Sequence, residues 1–324
     1  MCRCLRVSKS AYYAWEKKKA VPVSAEEAEA ERRVKECFFE NRRRYGSRRI
    51  ALELEMGRFM VRRLMREQGL MAIQPRSFVP KTTDSKHNGL ASPNLLKEKE
   101  NQPVQWGEVV VGDITYLPLI NNGWAYLATF QDKLTRRIVG WAIAEHMRAE
   151  LVIEALQMAL RRGLIKRGAI IHTDRGSQYV SIDYRELLAK HDIRQSMSAK
   201  GNCYDNAQAE SFFSRFKTEL VEGGIFNSLE EARSETFTYI EGYYNRVRIH
   251  SGSGGVSPIE FETWLRKFDG YSRVDMQKEL EQLEKQPVKQ RRAMLASNPS
   301  RNNRPGSHQR MTQAEAPKNA SASQ

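Results

Sequence analysis

The hydrophobic pattern divides the chain into short helices in its first third and a strand-rich body after Trp106. Ser24-Ala-Glu-Glu27 sets a hydroxyl three residues ahead of a carboxylate, a capping-box signature that predicts a helix to about Glu40. Tyr45-Gly-Ser-Arg-Arg49 opens a second helix through about Glu55, and Gly57 breaks it. A third runs from Phe59 to Gln68 and stops at Gly69. Short helices around a tight glycine turn suit a helix-turn-helix, with Arg48 and Arg49 on its first helix and Arg62, Arg63 and Arg66 on its second. A small helical bundle with a solvated basic face fits the same residues equally well. Residues 1–71 are therefore read as one small all-α region. Residues 72–105 hold Pro80, Pro93 and Pro103 with little apolar periodicity and read as a flexible linker.

Beyond Trp106 the pattern changes. Val109–Leu117 and Trp124–Phe130 read as strands joined through Asn121-Asn122-Gly123, and Arg137–Ala144 as a third. Glu150–Arg162 has Leu151, Ala155, Met158 and Ala159 at helical spacing. Ala169–Thr173 is a fourth strand that ends at Asp174, and Ile193–Met197 is a short fifth after a helix at Tyr184–Lys190. Asp205 or Asn206 caps a helix to about Glu222, followed by helices at about Leu229–Tyr244 and Pro258–Phe268. These elements predict an α/β domain over 106–268, a mixed five-stranded sheet flanked by helices. Residues 269–324 read as a largely disordered tail, with a charged helix at Met276–Lys285 its one ordered stretch.

Charge sharpens this division. The chain carries +14, yet residues 1–105 hold 23 Lys and Arg against 13 Asp and Glu, leaving only +4 for the rest. A basic arm on a nearly balanced body predicts that one part grips a polyanion while the other does something else. Cys2, Cys4, Cys37 and Cys203 form no disulfide framework and fit a reducing cytoplasm. Residues 114–131 are uncharged over a membrane-like length, but Pro118 and the Asn-Asn-Gly turn divide them into two strands.

Three acids stand out in the body. Asp113 interrupts an apolar strand on the side of Val109 and Val111, where a charge is costly unless a cation balances it. Asp174 follows the fourth strand, the end at which open mixed sheets place ligands. Glu210 lies one turn into a helix, with Lys217 seven residues on and on the same face, while Glu219 faces roughly opposite. Cutting or joining a phosphodiester needs two oxygens stabilised as they become negative, and about three carboxylates holding two divalent ions do this. Each acid alone also fits a turn, a loop cap or a helix-dipole partner, and Asp132, Asp183 and Asp205 lie close in sequence.

The motifs resemble those of the OrfB-type transposases of bacterial insertion sequences, relatives of retroviral integrases. The matching segments are Trp106-Gly-Glu-Val-Val-Val-Gly-Asp113-Ile-Thr-Tyr116, Ala125-Tyr-Leu-Ala128 and Asp132-Lys-Leu-Thr-Arg-Arg-Ile-Val-Gly-Trp141. His172-Thr-Asp174-Arg-Gly-Ser-Gln-Tyr179, Ser196–Asn202, Asp205-Asn-Ala207 and Glu210–Lys217 continue the series. Between Asp174 and Glu210 lie 35 residues, the family's DD(35)E spacing, and the Lys seven beyond the Glu is a family feature. Leu5–Trp15, Tyr45–Ile50 and Val61–Leu70 resemble the same family's region ahead of the core, so the likeness covers roughly residues 1–265. It departs in two places. Glu53–Phe59 is several residues shorter than in relatives, and Ser253-Gly254-Gly255 stands where relatives favour Leu-Gly-Tyr.

The resemblance implies a ribonuclease H-like fold and a metal-dependent polynucleotidyl transferase. In it Asp113, Asp174 and Glu210 are both catalytic residues and ligands of Mg²⁺ or Mn²⁺, two ions in all. It further implies Lys217, Arg48, Arg49, Arg62, Arg63 and Arg66 on DNA, with the element's terminal inverted repeats and a target duplex as partners. A homo-oligomer on DNA and a fusion with, or dependence on, an upstream-frame protein belong to the same expectation. The alternatives are a hydrolytic nuclease on this fold and a DNA-binding element protein whose catalysis has decayed.

Overall fold

The computed structural model describes residues 7–19, 24–73, 92–120, 123–198, 207–220 and 225–296. It falls into two compact units, Met1–Pro75 and Arg76–Gln324. The first contains α1 (Lys9–Lys19), α2 (Ala25–Glu40), α3 (Ser47–Glu53) and α4 (Arg58–Glu67). Ser24 caps α2 by accepting the Glu27 N–H. The Glu27 carboxylate itself turns to Arg63 on α4, at 2.6 Å. Val34, Cys37 and Phe38 of α2, Ile50 of α3, and Val61 and Leu64 of α4 are buried together with Tyr45. Burial pushes the Cys37 thiol up to about 11, which leaves it protonated and unreactive at neutral pH.

The second unit is built on one sheet. β1 (Val109–Leu119) pairs antiparallel with β2 (Gly123–Asp132), and β2 with β3 (Ile138–Ala144). On its other side β1 runs parallel to β4 (Ile170–Thr173), and β4 to β5 (Arg194–Met197), giving the order β3-β2-β1-β4-β5. This is the mixed five-stranded sheet expected from the sequence. The link through Asn121 and Asn122 lies outside the described residues, as do Asp205 and Asn206.

Both faces of the sheet are covered. On one side α5 (Ala149–Arg161) buries Leu151, Val152, Ala155, Leu156 and Ala159, and α6 (Ile182–Lys190) adds Tyr184 and Leu188. Leu151, Val152 and Leu156 alone contribute roughly 5–9 kcal/mol of burial. The close approach of α5 requires Gly140 on β3, because a Cβ there would stand 2.2 Å from the Ala155 carbonyl oxygen. On the other side, α7 (Ala207–Leu220) packs Phe212, Phe213 and Phe216 against Leu117, Leu127 and Trp141. Behind it lie α8 (Leu229–Phe237) and a π-helical segment, Thr238–Tyr244.

Three sequence expectations change. The helix read as continuous over Leu229–Tyr244 switches to π winding at Thr238, whose five-residue hydrogen bonds let Tyr239, Ile240 and Tyr244 all turn inward. Residues 92–105, read as linker, are bound to the sheet. The Met197 N–H donates to the Pro93 carbonyl, the Leu95 N–H to the Ser196 hydroxyl, and Val104 is buried. The ordered body also runs past 268. After α9 (Pro258–Arg266) come α10 (Arg273–Lys285) and α11 (Val288–Ala296), and Met276, Leu283 and Leu295 bury against Val256, Phe261, Trp264 and Leu265. Residues 297–324 lie outside the described set. Among the described residues no helix is long and apolar enough to cross a membrane.

Candidate active site

Parallel pairing of β1 with β4 brings two of the acids side by side. Val109 through Val111 pair with Ile170 through His172, and two more residues along the same register bring Asp113 level with Asp174. Asp113 is half-buried and its Oδ1 accepts the Ile114 N–H at 2.9 Å. Its carboxyl is pushed up to about 8, first by burial and then by Asp174 and Glu210, against the opposing pull of that N–H and of Lys217. Asp113 therefore shares one electrostatic field with both other acids.

Asp174 is oriented by the turn that follows it. The Gly176 N–H donates to Asp174 Oδ1 at 3.0 Å. A Cβ on Gly176 would lie 2.7 Å from Gln178 Oε1 and 3.1 Å from Asp174 Oδ1, so a larger residue there would have to displace both side chains. Arg175 Nε donates to the Ser198 carbonyl and Gln178 Nε2 to the Met147 carbonyl, fixing both sides of the turn. Tyr179 closes the floor. Its phenol is buried, and its pKa is raised by burial and by Asp174 and Asp113.

Glu210 stands exposed in the first turn of α7. Lys217, two turns on, holds its ammonium 4.0 Å from the Tyr116 ring centroid on β1, a cation–π distance. Burial lowers the Lys217 pKa while Asp113 pulls it the other way. Among the described residues no three Asp, Glu, His or Cys side chains are drawn together closely enough to chelate an ion.

Asp132, a rival acid in the sequence, is spent on structure. Its oxygens accept the N–H groups of Gly107, Leu134 and Thr135 and the Thr135 hydroxyl. Asp183 sits in the first turn of α6, and Asp205 lies outside the described residues.

The sequence did not reveal what stands behind α7. Glu219, on the face away from Glu210, is buried against Arg248 at 2.8 Å, with side chains 4 % and 3 % exposed. Tyr239 donates to the same carboxylate at 2.9 Å. Asn245, next to the π segment, clamps β3 by accepting the Ile138 N–H and donating to the Ile138 carbonyl. The departure at Ser253-Gly254-Gly255 has a structural use. Gly254 and Gly255 take φ of 70° and 85°, and a Cβ on Gly254 would lie 2.9 Å from Leu295 of α11. In the first unit Arg48, Arg62 and Arg66 are exposed, Arg49 lies over the Tyr45 ring, and Arg63 is held by Glu27.

Residues 103–203 and 210–264 match models of the integrase core domain, and residues 24–78 match an HTH-like domain. The two together define a polynucleotidyl transferase of the transposase and integrase class, with a DNA-binding region ahead of its core. The chain is 40% identical over 269 residues to Transposase InsF for insertion sequence IS3A of Escherichia coli (strain K12), which spans 81% of this chain and 92% of that one. It is also 40% identical over 266 residues to the insertion element IS600 uncharacterized 31 kDa protein of Shigella sonnei, across 81% and 97% of the two. The magnesium complex of the HTLV-2 integrase catalytic core domain, trimeric form, aligns with a TM-score of 0.38 and 13% identity, over 50% of this chain and 99% of that one. This chain belongs to the IS3 family of insertion-sequence transposases.

Proposed function

We propose that the transposase cuts and joins DNA at the ends of its element through Asp113, Asp174 and Glu210, which together hold divalent metal. The observation that carries this reading is the alignment of Asp113 with Asp174 at the end of β4, with Glu210 close enough to raise the Asp113 pKa. The donors are all carboxylate oxygens, the hard ligands that Mg²⁺ and Mn²⁺ take, so the chemistry of the set suits such ions. When bound, the metal supplies charge stabilisation to the attacking and leaving oxygens of an in-line displacement. The residues of the chain do the rest. Gly176 fixes the Asp174 carboxylate, and the aromatic face of α7 carries Glu210 to the sheet. The basic first unit binds the terminal inverted repeats, with Arg48, Arg49, Arg62 and Arg66 its candidate contacts and Arg63 held back by Glu27. A homo-oligomer on paired ends, and an upstream-frame partner or fusion, complete the proposal, which sets the protein in the bacterial cytoplasm.

The test is a strand-transfer assay with the full chain, Mg²⁺ and a duplex carrying the element's own end. Joined products are expected. Hydrolysis without joining would make the protein a nuclease, and salt-dependent binding without cleavage would make it a decayed DNA-binding protein.

The raised Asp113 pKa has a measurable consequence. A carboxyl that titrates near 8 in the folded chain and 3.8 in the unfolded one gives stability that is complete below pH 3.8 and lost as pH rises through about 8. Ligating metal needs the ionised form, so Mg²⁺ should raise the melting temperature more at pH 8 than at pH 6. An equal Mg²⁺ shift at both pH values, or one that survives in Asp113→Asn, contradicts the assignment.

Lys217 has two uses open to it, the Tyr116 ring and a phosphate beside the metals. The half-buried ammonium over an aromatic face is able to swing toward an arriving polyanion without unfolding α7. Lys217→Ala is expected to slow strand transfer roughly tenfold, the size of one well-placed charge contact, with a melting temperature unchanged within a degree or two. Lys217→Arg should keep most activity. Normal joining by Lys217→Ala across a range of salt would remove Lys217 from the site.

A further inference from the structure

The second helix of the helix-turn-helix unit carries a side chain that packing does not explain. α4 turns Val61, Leu64 and Met65 inward, and these hold it to the small core of its unit. Its outer face carries Arg58, Phe59, Arg62 and Arg66, all exposed. Phe59 is 87% exposed, the most exposed large apolar side chain among the described residues. Single exposed apolar residues are common on protein surfaces and need no explanation by themselves. The surroundings of this one are specific. It sits in the first turn of the helix, two residues after a Gly57 N-cap that makes no side-chain hydrogen bond. That turn holds no acid, and the sole acid of α4 is Glu67 at its far end.

An apolar ring framed by arginines at a positive helix end complements one surface in particular. In the major groove of duplex DNA, phosphates flank base edges whose apolar group is the thymine methyl. A helix of ten residues, about 15 Å long, enters a groove about 12 Å wide by its amino end. We infer that Phe59 is a base-reading residue, packed on a thymine methyl of the element's end, while Arg58, Arg62 and Arg66 neutralise the phosphates on either side. The inference rests on the proposed DNA-binding role of the first unit and adds to it the group that tells one sequence from another. Arginine–phosphate contacts hold any duplex, whereas a methyl contact exists only where thymine stands.

The experiment uses the full chain and two duplexes, the terminal inverted repeat that flanks the gene and a scrambled duplex of the same composition, at several salt concentrations. Phe59→Ala should weaken binding to the repeat about tenfold, the loss typical of one mismatched base pair, and binding to the scrambled duplex less than twofold. The salt slope should stay the same, because no charge is lost, whereas Arg62→Ala should reduce the slope by about 1 on both duplexes. Replacing thymines of the repeat one at a time by uracil should reproduce the loss at one step in the wild type and have no effect in Phe59→Ala. Phe59→Leu should retain most of the discrimination. Equal affinity of Phe59→Ala and wild type for the repeat, or an equal loss on both duplexes, overturns the inference. So does a change of oligomeric state in Phe59→Ala without DNA, which would assign the ring to a second copy. If the wild type binds neither duplex in a salt-dependent way, the DNA-binding role of the unit fails first, and Arg62→Ala will then be silent as well.

Discussion

Asp174→Asn should abolish cleavage and joining while DNA affinity changes less than twofold. Asparagine keeps the shape of the side chain and still accepts the Gly176 N–H, but it removes the negative charge that a divalent ion requires. If the ion supplies several kcal/mol to the transition state, its loss slows the chemical step by about a thousandfold or more. Binding is set by basic residues that displace counterions from phosphates, and none of them is touched. A second readout separates this from misfolding. Asp174 is one cause of the raised Asp113 pKa, so Asp174→Asn should bring Asp113 down toward the ordinary carboxylate range without lowering the melting temperature. Activity retained with Mg²⁺ would take Asp174 out of the ligand set.

Arg248→Ala should be the most destabilising single substitution in the second unit, at about 3–5 kcal/mol. Arg248 and Glu219 are nearly fully buried, and three guanidinium hydrogen bonds run between them. Removing the cation strips a buried carboxylate of its three guanidinium hydrogen bonds, while Tyr239 still donates to it. Replacing both partners by apolar residues of similar volume, as in Glu219→Leu with Arg248→Met, should cost far less, since no charge is then stranded. Urea unfolding of the two single variants and the double variant gives the coupling directly. Near-additive losses would show that the pair is not coupled. A total stability of 5–15 kcal/mol leaves Arg248→Ala close to its unfolding threshold, and α7, which carries Glu210, is the element it loosens.

Much of the second unit could be read from the residues because its strands and α5 state their periods openly. Val109–Leu119 and Ile138–Ala144 are apolar runs bounded by turns, and Leu151, Ala155 and Ala159 recur at helical spacing. What escaped has specific causes. Residues 92–105 hold to β5 through polar groups, the Ser92 hydroxyl, the Pro93 carbonyl and the Leu95 N–H, which leave no hydrophobic rhythm in the sequence. α10 and α11 are charged helices anchored by few apolar side chains, Met276, Leu283 and Leu295 among them, too sparse to stand out from a disordered tail. The π winding at Thr238–Tyr244 leaves a pattern that an α-helical period also fits. The acids were visible by type but not by partnership. Asp113 and Asp174 are 61 positions apart and become neighbours only through the parallel pairing of β1 with β4. Asp132 looked as suitable until its oxygens proved to be committed to Gly107, Leu134 and Thr135. The Tyr116 ring beneath Lys217 had no signal, because it depends on where α7 crosses β1.

The most direct test is to locate Mn²⁺ by anomalous diffraction in crystals of the full chain bound to a duplex of the element's end. The account predicts a peak about 2.0–2.3 Å from carboxylate oxygens of both Asp113 and Asp174, with Glu210 turned in to the same ion or to a second one about 3.5–4 Å away. A peak held by other acids, or a Glu210 carboxylate that stays in solvent with the metal and DNA in place, would contradict it.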